Sequence, residues 1–161
     1  MTFWTASLWL NIYLYLKIAI MKNIIIPLLL LSMNYQSHAQ EFPKDIFPTS
    51  KGDITITFIG HASIMFLWND MIIYADPVMR EADFTQFPEA DVIILTHHHG
   101  DHLDRQAIDA LMKDKTWIIM TETCSEQLSG MDIPKKSVIT AWDEVGFNDL
   151  VCQAIPAYNI E

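Results

Sequence analysis

Basic side chains are scarce in this 161-residue chain: ten Lys and Arg stand against 20 Asp and Glu, for a formal charge of −10. A generic binder of the nucleic-acid backbone needs a Lys/Arg patch to release phosphate counterions, so that class is excluded. Cysteine is scarcer still, with only Cys124 and Cys152. Two thiols cannot make a disulfide-dense mini-protein or a four-thiolate zinc site. In an exported chain they either pair or, the simpler expectation, stay as buried free thiols. No internal repeat or low-complexity tract is present. The length suits one domain of ordinary size rather than two.

The charges that exist are unevenly placed. Residues 1–39 hold only Lys17 and Lys22, so residues 40–161 carry all 20 acids and eight bases, a net −12. From Met21 the sequence runs through Lys22, an apolar stretch from Ile24 to Met33, and Ser37-His38-Ala39 before Gln40. A positive start, a short apolar run and a small-x-small site make the layout of a signal peptide over 21–39. The run is too short to cross a bilayer unaided, and no Cys follows it as in a lipoprotein. Residues 1–20 are either upstream translated sequence or a membrane anchor over about 3–20. The expectation is an exported protein, periplasmic or secreted, and membrane-bound only if that anchor exists.

Residues 40–52 read as a linker, with two Pro, a Gly and scattered charges. Strict alternation over Asp53–Phe58 predicts a half-buried strand. Ser63–Trp68 and Met71–Ala75 predict two more strands around an Asn69-Asp70 hairpin turn, and residues 78–90 a loop. Asp91–Thr96 is a short apolar strand. Leu103, Ala107, Ile108, Leu111 and Met112 share one face at helical spacing, which predicts a helix over about 103–114. A strand at 116–121, a short helix at 122–129, and strands at 137–142 and 150–155 complete a mixed α/β layer with early antiparallel pairing.

Five of the six histidines are His61 and the run His97, His98, His99 and His102. The run follows a buried strand and leads into a helix. In extended backbone, residues two apart point the same way, which predicts converging rings at His97 and His99 with His98 turned elsewhere. Gly100 is read as easing the turn. Asp101 and His102 then offer a second pair of ligands. Imidazoles with a carboxylate suit zinc, or else iron or manganese, better than calcium or magnesium.

Thr96-His97-His98-His99-Gly100-Asp101-His102 resembles the His-x-His-x-Asp-His signature of metallo-β-lactamase-fold hydrolases. Ile59-Gly60-His61-Ala62-Ser63, Ala75-Asp76-Pro77 and Ile155-Pro156-Ala157-Tyr158-Asn159 resemble the branch that includes L-ascorbate 6-phosphate lactonase and related hydrolases. The resemblance implies an αββα sandwich and two divalent metal ions, with zinc first. His97 and His99 would hold one ion, Asp101 and His102 the other. Asp76 would orient the metal loop from behind. His61 would be an extra ligand, a proton shuttle or a substrate contact, unless its role is only structural. Tyr158 and Asn159 would either line the pocket or be an edge Tyr with a turn Asn.

The implied activity is hydrolysis of a small-molecule lactone, ester or phosphodiester by metal-activated hydroxide, with Asp101 also able to accept a proton. β-Lactams are the less expected substrates. The family's second half would bring a bridging Asp and a late His. No His follows His102, and Asp132, Asp143 and Asp149 stand in the wrong context. The expectation is the N-terminal half of the sandwich, a fragment completed by a second polypeptide or a homo-oligomer. Two other classes compete with the hydrolase: an inactive metal-binding remnant, and a membrane-anchored acidic interaction domain.

Overall fold

A computed structural model describes residues 13, 15, 17, 40–148 and 150–157. Apart from Tyr13, Tyr15 and Lys17, the segments expected as anchor and signal peptide lie outside the described residues. Tyr158 and Asn159 also lie outside them. Residues 42–161 form a unit of their own.

That unit is built on a seven-stranded sheet whose strands lie side by side in chain order. The strands are β1 (Lys44–Phe47), β2 (Ile54–Gly60), β3 (Ser63–Trp68), β4 (Met71–Ala75), β5 (Val92–Leu95), β6 (Trp117–Met120) and β7 (Lys135–Val138). The first four pair antiparallel. From β4 to β7 the pairing is parallel. Asn69 and Asp70 both take left-handed φ, 48° and 61°, so the β3–β4 link is the tight hairpin that their residue types favour.

Parallel pairing needs crossovers, and two of these carry helices: α1 (Arg105–Leu111) and α2 (Glu122–Gln127). Asp104 caps α1, accepting the Gln106 N–H on Oδ1 at 2.9 Å. The helix is shorter than the 103–114 expected: the cap fixes its start, and Met112 is already extended. The β4–β5 crossover is the loop expected at 78–90. It contains a 3₁₀ turn at Phe84–Gln86 that buries Phe84 against Tyr74 and Phe87.

Alternation along the strands divides the core in two. On the helix side, Tyr74, Ile93, Leu95, Ile118 and Met120 pack against Ile108 and Leu111 of α1 and Cys124 and Leu128 at α2. Each fully buried Leu or Ile there contributes about 1.5–3 kcal/mol. On the other side, Ile73, Val92 and Ile119 are covered by a separate hairpin, β8 (Glu144–Phe147) with β9 (Leu150–Gln153), through Phe147. Cys124 and Cys152 are free thiols on opposite faces.

Besides the shorter helix, the sequence reading differs from the structure along three strands. The stretch expected as linker at 40–52 contains β1, which pairs along β2 from Lys44↔Thr57 to Phe47↔Ile54. All four of its residues are exposed, so burial left no pattern in its sequence. The strand expected at 137–142 ends at Val138, because residues 140–143 turn: the Thr140 N–H donates to Asp143 Oδ2 and Trp142 takes φ 75°. The strand expected at 150–155 stops at Gln153 and is preceded by β8, which was not expected.

Candidate metal centre

The histidine run leaves the end of β5, beside the end of β4, where parallel strands place their C-terminal loops. Asp76 is the hub of this region. It is 2% exposed and adopts φ 44°, with its backbone N–H donating to Ile94 O at 3.0 Å. The buried Ser63 hydroxyl donates to Asp76 O at 2.7 Å, tying β3 to the same point.

The Asp76 carboxylate accepts three hydrogen bonds. Oδ1 takes the Thr96 N–H at 2.8 Å, and Oδ2 takes the Thr96 hydroxyl at 2.5 Å and His102 Nδ1 at 2.8 Å. A carboxylate only accepts, so His102 carries a proton on Nδ1, which in the neutral ring leaves the Nε2 lone pair for a metal. The same logic reaches His97. Because the Thr96 hydroxyl hydrogen is used on Asp76, His97 Nδ1, 3.1 Å from that oxygen, is the donor there and its Nε2 is the acceptor. One buried carboxylate and one threonine therefore set both rings in the tautomer a metal requires.

Two trios of ligand atoms result, each within 4.8 Å: His61, Asp101 and His102, and Asp76, His97 and His102. In the first, His61 Nε2 is 3.2 Å and His102 Nε2 3.9 Å from Asp101 Oδ2. His61 reaches this point from the β2–β3 turn, with φ 46° and its ring edge-on to His102 at 5.2 Å. In the second, Asp76 is already committed to three donors, so its part is to hold the rings. His97 and His102 lie with centroids 3.8 Å apart.

His99 belongs to neither trio, and its ring stands edge-on to His97 at 4.9 Å. The backbone is not extended throughout the run: the chain turns at His99, whose carbonyl accepts the N–H of both His102 and Leu103. His98, expected to face elsewhere, lies against His99 at 4.8 Å. Gly100 plays no steric part in that turn: its φ is not left-handed, and a Cβ there would meet nothing within 4 Å.

The electrostatics favour the ligand forms. Burial, with His102 and His99 alongside, pushes the His97 imidazole below its usual range, against the pull of Asp76 and Asp101. Its own backbone N–H, then His102 and His61, hold Asp101 below the usual carboxylate range despite some desolvation. A neutral imidazole and an ionised carboxylate are what a divalent ion binds. Thr96 and Ser63 did not stand out in the sequence as site residues. Their signal was position only, one at the strand end before the His run and the other two residues after His61.

Three comparisons relate the chain to known proteins. Residues 55–161 match the family described as the beta-lactamase superfamily domain. A solved structure from Parabacteroides distasonis, provisionally named a metal-dependent hydrolase, is 41% identical with a TM-score of 0.68, over 74% of this chain and 53% of that one. A cytidine monophosphate-N-acetylneuraminic acid hydroxylase of Asterias rubens is 30% identical over 83 residues, covering 42% of this chain and 13% of that protein. The chain thus spans about half of the structural relative and a small part of the hydroxylase. With the match running over most of its length, and a mixed sheet presenting the His-x-His-x-Asp-His loop at its strand ends, the chain belongs to the beta-lactamase superfamily domain family.

Proposed function

We propose that the protein is a metal-dependent hydrolase of a small-molecule lactone, ester or phosphodiester. The observation that carries this reading is the convergence of His61, Asp101 and His102, with the His102 ring locked by Asp76 so that Nε2 is open. His97, His99, Asp101 and His102 are the proposed ligands of two divalent ions, zinc first and manganese or iron as alternatives. The donors fit such ions: neutral imidazoles and one ionised carboxylate at one sheet edge. When bound, a divalent ion supplies Lewis acidity that makes hydroxide available near neutral pH and polarises the scissile carbonyl or phosphoryl group.

The chain's own residues supply the rest. Asp76 holds the two imidazoles in place. Asp101, low in pKa and 42% exposed, stays ionised beside the incoming substrate. His61, 3.2 Å from that carboxylate, is placed to carry a proton to or from it.

The half-covered sheet supports a partner. Phe47 and Phe58 share the hairpin face but are 50% and 42% exposed, and a second copy or a second polypeptide would bury them. The signal layout over 21–39 supports export.

The test is metal analysis of the purified chain, together with hydrolysis of bis-p-nitrophenyl phosphate and a simple lactone. Stoichiometric transition metal and turnover lost in His99→Ala are expected. Metal without turnover favours the inactive remnant, and no metal removes both readings.

A further inference from the structure

The cations of this acidic chain are distributed in a way that singles out one of them. Of the eight Lys and Arg in residues 40–161, most stand away from the histidine end of the sheet. Lys51 lies beside the Asn69 turn, Lys113 pairs with Asp91 before β5, Lys115 precedes β6, and Lys135 opens β7 over the Trp117 ring. Lys44 opens β1 at the histidine end too, but on the edge strand, four strands away from the β5 run, and Lys136 donates to Ser125 on α2. Arg105 is at the histidine end, but its guanidinium donates to the carbonyls of Gln127 and Ser129. That leaves Arg80.

Arg80 sits in the loop that follows Asp76-Pro77. Its neighbour Met79 donates its N–H to Asp104 Oδ2 at 2.9 Å, which pins the loop to the start of α1, two residues beyond His102. Arg80 Nε donates to Glu81 Oε1 at 3.1 Å, and Nη2 lies in ion-pair range of the same oxygen at 3.1 Å. The other carboxylate oxygen is seated on Gly60: a Cβ there would lie 2.5 Å from Glu81 Oε2. Gly60 is the residue before His61. The guanidinium is thus held on its Nε side by Glu81, whose other oxygen lies at the turn that carries His61, while Nη1 has no partner among the described residues. The Arg80 side chain is 64% exposed.

An arginine anchored on one side and open on the other matches the paired oxygens of a carboxylate or phosphate. A net −12 in residues 40–161 repels anions at a distance, and a local fork adds to the metal ions' own attraction in retaining one at the site. We infer that Arg80 is the anion-recognising residue of this centre: it binds a carboxylate or phosphate group carried by the substrate, with Glu81 and Gly60 positioning it. The inference rests on the proposed metal site and narrows its substrates to anionic ones.

The test is calorimetric titration of the zinc-loaded full chain with phenylphosphonate, for wild type, Arg80→Gln and Arg80→Lys, with zinc content measured in parallel. Loss of a charge-assisted pair predicts binding about ten- to hundredfold weaker in Arg80→Gln. Arg80→Lys should fall between the two, because it keeps charge without the fork, and zinc content should be equal in all three. Binding by Arg80→Gln within twofold of wild type, or no binding by wild type at millimolar phenylphosphonate, overturns the assignment. Wild type that binds zinc and phenylphosphonate but hydrolyses nothing contradicts the hydrolase reading and leaves the Arg80 assignment standing.

Discussion

The Asp76 carboxylate holds His102 Nδ1 at 2.8 Å while accepting both the N–H and the hydroxyl of Thr96. The two residues are 26 positions apart in sequence, and their contact joins the ends of β4 and β5 into one platform.

Breaking this contact should show in metal affinity before activity is considered. Asp76→Asn puts an amide where the carboxylate met three donors, so His102 loses the partner that fixes its tautomer. Outer partners of this kind typically carry ten- to hundredfold in affinity, and a loss of about that size is expected in competition titration with a chromogenic chelator. Unfolding by urea should also show a cost of about 1–3 kcal/mol, from donors left unsatisfied in a buried place.

Gly60 precedes His61 and Gly100 lies within the histidine run, and the two should respond differently to Ala. A methyl on Gly60 would lie 2.5 Å from Glu81 Oε2 and 3.2 Å from its Cβ, so that side chain must move. A cost of about 1 kcal/mol is expected in denaturant unfolding, because the carboxylate end can swing aside and its Cβ needs to give only slightly. Gly100→Ala has open space and an ordinary φ, so its stability should stay within about 0.5 kcal/mol of wild type.

Gly130→Ala differs from both. Space is open there, but φ is 82°, a conformation that a Cβ disfavours. A loss of about 1 kcal/mol is expected with metal uptake unchanged, because the strain is local to the turn after α2.

Asp91 makes stability depend on pH at the far end of the sheet. Its Oδ1 meets Lys113 Nζ at 2.7 Å and its Oδ2 accepts the Ile72 N–H at 2.9 Å. Burial alone would raise its pKa, but Lys113 and Ile72 outweigh it and hold the carboxyl below the usual range. A folded pKa below the unfolded one adds stability above the unfolded value, and that stability is lost as pH falls through the folded value. Wild type should therefore exceed Asp91→Ala by about 1 kcal/mol near neutrality, a figure kept low because both partners are about one-third exposed. The gap should narrow as pH drops below the ordinary carboxylate range, measured by urea unfolding at several pH values.

Where burial imposed a pattern, the sequence was legible. The alternation of Ile54–Phe58 and the unbroken Val92–Leu95 run predicted β2 and β5, and Asn69-Asp70 predicted the turn between β3 and β4. The strand-end position of the His run followed from the same signal. Elements held by backbone pairing alone left no such trace: β1 is exposed throughout, and β8 buries only Phe147. Within the site, residue types were legible and directions were not. The chain turns at His99 instead of running on extended, and His61 comes within 3.2 Å of Asp101 through a left-handed φ that residue type alone does not announce. Thr96 was missed because its part depends on tertiary contact with Asp76.

The most direct test of the metal centre is the transition-metal content of the purified full chain beside His102→Ala, by elemental analysis after dialysis. At least one equivalent in wild type and a loss of tenfold or more in the variant is the expected result, since both trios share that ring. Wild type that retains no transition metal, or His102→Ala that retains as much as wild type, would contradict the account.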